Sequence, residues 1–126
     1  MEYKKLASGE KIPSLGLGTW HMGGNFSADY SQDEKYIEAI SYAISKGITH
    51  IDTAEIYSGG HAEELIGEAI RQSSTLRSSD PNGLAEKINR KNLFLTSKVS
   101  PQHLFTSGQI KRSCEGSLSR DRKSVV

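Results

Sequence analysis

Apolar residues follow two alternating rhythms along this chain: short continuous runs, and stripes repeating at three and four positions. The runs read as strands and the stripes as helices with one buried face. Tyr3 to Pro13 reads as a hairpin, with Leu6 and Ile12 flanking a turn on Ser8-Gly9-Glu10. Leu15 to Gly18 is a short strand rich in glycine, a backbone that a ligand or another segment can approach closely. A loop of small residues (Gly23, Gly24, Asn25, Ser27) leads to a first helix with the stripe Tyr36, Ile37, Ile40, Ala43 and Ile44. Ser31 and Glu34 have the spacing of a capping box at its start, and Gly47 stands where a left-handed cap ends it.

Ile48 to Asp52 follows as a strand. Ala62 to Arg71 is a second helix, buried through Leu65, Ile66, Ala69 and Ile70, with Glu63 and Glu64 suited to its positive end. Ser73 to Asn92 is broken by Ser73-Ser74, Ser78-Ser79 and Asp80-Pro81-Asn82-Gly83. It is longer than a usual connection, so residues 73–92 are expected to form a surface insertion, with room for a helical turn near Leu84 to Ile88. Leu93 to Val99 is a third core strand, and Thr106 or Ser107 caps a last helix with the stripe Ile110, Cys114 and Leu118. Gly108 and Gly116 each weaken that helix by roughly 1 kcal/mol if they lie inside it.

Strand alternating with helix implies an α/β fold with a parallel sheet and right-handed crossovers. All strands then point one way, and residues at their C-terminal ends converge on one rim. Gly18, Asp52 and Lys98 are such residues, and Tyr57 follows Asp52 on a loop. Sheets of this class carry ligands and chemistry on that rim.

Size and composition narrow the alternatives. The 126 residues suit one domain. With 16 basic and 15 acidic side chains there is no field of one sign to draw the chain onto nucleic acid or an anionic membrane. Arg112, Arg120, Arg122 and Lys123 read as a solvated face or loose tail. The sole cysteine, Cys114, excludes an internal disulfide and fits a reducing compartment. No apolar run follows Lys4 and Lys5, and nothing approaches the roughly 20 apolar residues of a membrane span, so a cytoplasmic protein is expected.

The candidate chemistry is proton donation to a carbonyl. A phenol is a poor acid at neutral pH, and an adjacent ammonium favours its ionised form. The ammonium in turn is costly to hold in a partly dry pocket without a carboxylate. Tyr57, Lys98 and Asp52 supply donor, tuner and anchor. No side chain donates hydride, so the electron pair would come from a nicotinamide cofactor. Gly16-x-Gly18 is not a dinucleotide fingerprint: position 21 is His, and the next helix begins only near Ser31. His21, His50, His61 and His103 are scattered, without metal-ligand spacing, and read as loop or surface residues. Gly59-Gly60 reads as a plain turn.

At these residues the chain resembles the N-terminal part of an aldo-keto reductase. The matching stretches are the opening hairpin, Gly16-Leu17-Gly18-Thr19-Trp20, Ile51-Asp52-Thr53-Ala54-Glu55-Ile56-Tyr57, Glu63-Glu64-Leu65-Ile66-Gly67 and Thr96-Ser97-Lys98-Val99. The resemblance implies a (β/α)8 barrel that reduces aldehydes or ketones with NADPH, or with NADH. Tyr57 would then be the general acid, Lys98 its partner and Asp52 the anchor of Lys98. Gly18, Thr19, Trp20 and Asp52 would line the nicotinamide end of the cofactor site.

The likeness fades after Arg120, and residues 121–126 are expected to be a divergent tail. The family's catalytic histidine and the loops gripping the cofactor's adenosine belong to segments beyond these residues. A whole barrel takes about 250 residues, so an incomplete barrel of a hairpin and about three βα units is expected. The chain is accordingly expected to be a truncated or frame-disrupted reductase, weakly folded and inactive alone. The competing expectation is a non-catalytic member or fragment that binds a cofactor or partner protein.

Overall fold

The computed structural model describes residues 1–75 and 89–121. The hairpin pairs β1 (Tyr3–Lys5) with β2 (Lys11–Pro13), closed by hydrogen bonds from Leu6 N–H to the Glu10 carbonyl and from Gly9 N–H to the Leu6 carbonyl. β3 (Gly16–Gly18), β4 (His50–Asp52) and β5 (Phe94–Thr96) then form a parallel sheet in that order. Leu17 stands in register with Ile51, and Ile51 with Leu95. Gly18, Asp52 and Thr96 therefore end their strands side by side.

Helix α1 (Asp33–Ser45) crosses from β3 to β4, α2 (His61–Thr75) follows β4, and α3 (Ser107–Arg120) follows β5. The core lies where α1 and α2 meet the sheet: Ile40 and Ile44 pack with Leu65, Ile66 and Ala69 around Ile51, and Leu93 closes it at the base of β5. Ile40, Ile51 and Ile66 are wholly buried, worth about 1.5–3 kcal/mol each in transfer from water. The end of α1 is a Schellman motif. Gly47, at φ 86°, donates to the Ile44 carbonyl and Ile48 to that of Ala43, which turns the chain directly into β4.

Four expectations change. Ser31 does not cap α1, because its N–H is taken by the Asp29 carboxylate and the cap position falls to Gln32, without a side-chain cap bond. Helix α2 runs on to Thr75, through the Ser73-Ser74 pair read as a breaker, since serine is a mild helix former and the stripe carries the helix past it. The strands are shorter than the apolar runs, because only three residues of each complete the ladder. Finally, the stripe of α3 is mostly exposed. Ile110 is 41% exposed and Cys114 is also exposed, while Ser113 is the helix's buried residue. Leu118, on the same stripe, is half-buried and lines a pocket together with Leu95 and Val99.

Thr106 caps α3 as expected, accepting from Gln109 N–H at 3.2 Å. The expected turn at Leu84 to Ile88 lies outside the described residues, as does most of the 73–92 insertion and, beyond Asp121, the tail. Among the described residues no helix is long and apolar enough to cross a membrane.

Candidate active site

The rim is built by backbone continuing past the strand ends. Thr19 N–H donates to the Asp52 carbonyl at 3.0 Å, Thr53 N–H to Thr96 at 2.8 Å, and Glu55 N–H to Lys98 at 3.2 Å. These bonds carry the pairing past the strand ends and bring Asp52, Tyr57 and Lys98 to one mouth. Thr19 is buried, its hydroxyl also donating to the Asp52 carbonyl, so it shapes the rim from within. Gly18 is exposed, and a Cβ placed on it would meet no atom within 4 Å.

Lys98 is the hub. Its Nζ donates to both Asp52 carboxylate oxygens, at 2.7 and 2.8 Å, and to the Thr53 carbonyl at 2.7 Å. The same ammonium lies 4.9 Å from the centroid of the Tyr57 ring. Burial works to lower the Lys98 pKa, but the Asp52 hydrogen bond and the Tyr57 phenol raise it above the ordinary value, so the group stays charged. The Lys98 and Asp52 side chains are 46% and 44% exposed, and a pair this open adds at most about 1 kcal/mol to stability. What the pair provides is placement of a positive charge against the phenol.

Tyr57 opens a tight turn, Tyr57–Gly60, and packs edge-on against Trp20 with ring centroids 4.7 Å apart. Trp20 also meets Phe26 and His21 edge-on and remains 45% exposed. The mouth thus holds an open glycine, an exposed indole, a phenol, and a half-exposed ion pair. All the residues singled out by sequence come together here, Thr19 from beneath.

Behind the rim lie groups that the sequence reading passed over. Glu63, placed at the positive end of α2 by expectation, is wholly buried. It accepts from Ser97 Oγ at 2.6 Å and from Arg120 Nε at 2.7 Å, tying α2 and α3 to the residue next to Lys98. Arg120 is accordingly no part of a solvated basic face. Gly60 makes room for it: a Cβ there would stand 3.1 Å from the Arg120 side chain. The signal was present, since Glu63 falls on the stripe of Ile66 and Ile70 at helical spacing.

His61 is likewise buried rather than superficial. Its Nε2 faces the Asp33 carboxylate and its Nδ1 that of Glu64, both at 2.9 Å. Ionised carboxylates accept only, so a carboxylate facing each ring nitrogen favours the protonated imidazole. Burial works against that charge, yet the Glu64 and Asp33 bonds raise the His61 pKa above its ordinary value. On the far side, Glu55 accepts from Ser100 N–H and lies 2.9 Å from His103 Nδ1. Burial pushes the Glu55 pKa up, and these bonds more than reverse it.

Comparison with known proteins agrees with this geometry. The sequence pattern of the aldo/keto reductase family matches residues 14–124. Among relatives, the chain is 38% identical over 109 residues to the methylglyoxal reductase YeaE of Escherichia coli, covering 86% of this chain and 31% of that protein. It is 45% identical over 74 residues to the aldo-keto reductase YhdN of Bacillus subtilis, covering 57% and 22%. The fold is similar to that of the thermostable aldo-keto reductase Tm1743, with TM-score 0.82 and 46% identity over 97% of this chain and 39% of that one. A Klebsiella pneumoniae aldo-keto reductase solved with NADPH gives TM-score 0.71 and 34% identity, over 97% and 36%. The chain spans about a third of the length of these proteins. Among the described residues, three parallel strands and three α-helices form part of a (β/α)8 barrel and do not close it. On sequence and fold together, the chain belongs to the aldo/keto reductase family.

Proposed function

We propose that this chain carries the proton-donor half of a nicotinamide-dependent carbonyl reductase, with NADPH as the coenzyme and an aldehyde or ketone as substrate. The observation that carries the reading is the Lys98 ammonium, held by Asp52 and the Thr53 carbonyl and lying 4.9 Å from the Tyr57 ring centroid. Family membership supports it, as do NADP and NADPH bound in solved relatives.

The residues fit the nicotinamide end of such a coenzyme. Gly18 leaves open space above its strand, Trp20 offers an exposed flat face, and Asp52 a half-exposed carboxylate. Gly18, Trp20 and Asp52 would hold that end, with Thr19 fixing the turn beneath. When bound, the coenzyme supplies the hydride that no side chain can. Tyr57 then donates its hydroxyl proton to the carbonyl oxygen as negative charge develops there. The phenolate left behind lies beside the Lys98 ammonium, which lowers the cost of the transfer, while Asp52 keeps the ammonium in place.

The test is NADPH oxidation by the protein with a small aldehyde such as methylglyoxal, beside its Tyr57→Phe variant, and turnover by the unmodified chain would overturn the expectation that it is inactive alone. A loss of about 100- to 10,000-fold with NADPH binding retained is expected. An undiminished rate in the variant would remove Tyr57 from the role. NADPH binding with no turnover in the unmodified protein would favour the competing reading, a member that binds without catalysis.

A further inference from the structure

We propose that Ser58 is a positioning residue, which fixes the Tyr57 side chain against Trp20 and Lys98 by tying the Tyr57 turn to the loop after Trp20. The proposal deepens the reading of Tyr57 as proton donor and rests on it.

Ser58 sits at φ 53° and ψ 33°, left-handed backbone that a residue with a side chain seldom adopts. Gly59 and Gly60 continue in positive φ, at 66° and 96°. Glycine would take the Ser58 conformation without strain, yet a serine stands there, wholly buried. Its side chain accounts for the choice. The hydroxyl lies 2.8 Å from the Met22 carbonyl and 2.9 Å from that of Gly24, one proton shared between two acceptors. The Ser58 N–H donates to the Asn25 carbonyl at 3.0 Å. One residue therefore binds three carbonyls of the segment 22–25.

That segment is itself held. Gly23, at φ 73°, packs so closely that a Cβ would come within 2.5 Å of the His61 ring. The segment is separated from Trp20 by His21 alone, so fixing it restrains the indole on which Tyr57 leans. Tyr57 N–H is bonded to the Ala54 carbonyl at 3.0 Å on the other side. The phenol is thus carried between two anchored points of backbone, and only one of them, Ala54, lies on the segment that runs on from Asp52. Without the Ser58 hydroxyl, the turn keeps its bond to Ala54 and only the Ser58 N–H to the Asn25 carbonyl still holds it to the loop.

Trp20 is the sole tryptophan, so its fluorescence reports this contact without any coenzyme. The experiment compares the unmodified protein with Ser58→Gly and Ser58→Ala, by acrylamide quenching of Trp20 at a temperature well below melting and by the melting temperature itself. Ser58→Gly removes the hydroxyl and relieves the backbone. We expect it to melt close to the unmodified protein while its emission shifts to the red and quenching increases. Ser58→Ala keeps the strain and is expected to show the same Trp20 change with a lower melting temperature. Unchanged emission and quenching in Ser58→Gly would overturn the proposal, leaving Ser58 a stability residue only. In turnover, Ser58→Gly is expected to lower kcat about 10- to 100-fold at unchanged KM for NADPH, and an unchanged kcat would likewise overturn it. Failure of the unmodified protein to reduce aldehydes defeats the proton-donor reading instead, and leaves the Trp20 result to decide how the turn is held.

Discussion

Helices α2 and α3 each follow a strand of the same parallel sheet and carry similar apolar stripes, but they are attached by different physics. Helix α2 buries Leu65, Ile66 and Ala69 against α1 and the sheet. Helix α3 leaves Ile110 and Cys114 outward and is held by polar bridges: Arg120 to Glu63, Asp121 to Arg90, and Ser113 within 3.1 Å of His103, which pairs with Glu55. The lesson is that periodicity tells which residues share a face, whereas burial depends on what lies opposite. The site stands at the junction of the two regimes, with Asp52 on the apolar side and Lys98 on the polar one.

The comparison can be broken most forcefully in the core. Ile51→Ala should cost about 4 kcal/mol, read by urea unfolding, because it empties a wholly buried position between α1, α2 and the neighbouring strands. Arg120→Met should cost about 3 kcal/mol, since it strands the buried Glu63 carboxylate without its cation. Adding Glu63→Gln to that variant should recover part of the loss, whereas an Arg120→Met variant as stable as its parent would mean that α3 is not held this way.

The next effect is a pH dependence on the α2 side. The His61 pKa is raised in the fold, so its contribution is fully present below the unfolded value of 6.5 and is lost as pH rises through the folded value. Asp33 on α1, Glu64 on α2, and Tyr30 and Asp29 on the preceding loop are the groups that face or influence it. Stability measured from pH 6.5 upward should therefore decline, and His61→Gln should flatten that limb. A profile with the same slope in both proteins would refute the protonated clamp. The smallest effect is expected at Ile110→Ser, within about 0.5 kcal/mol, because a side chain already facing water loses little by becoming polar.

These same residues mark how far the sequence could be read. Asp52, Tyr57 and Lys98 were legible because parallel strands force their ends onto one rim, and the apolar runs located those ends. The strand–helix alternation with its parallel sheet and the Gly47 cap were legible for similar local reasons. Ser31 misled because Asp29 competes for its N–H, a contest that capping spacing does not show. Glu63 and His61 were missed because acids and histidines at a helix start ordinarily face water. Their burial follows from partners 57 and 28 residues away in sequence, Arg120 and Asp33. Ser58 was missed for a different reason: nothing in a serine announces left-handed backbone.

The central claim is that the Tyr57 hydroxyl and the Lys98 ammonium act as a single device. A double-mutant cycle on carbonyl reduction tests this most directly, using Tyr57→Phe, Lys98→Met and the two combined, with NADPH binding measured on each. The account predicts strong non-additivity, the combined variant being hardly slower than Tyr57→Phe alone. Losses that multiply in full would show two groups working independently and would contradict it.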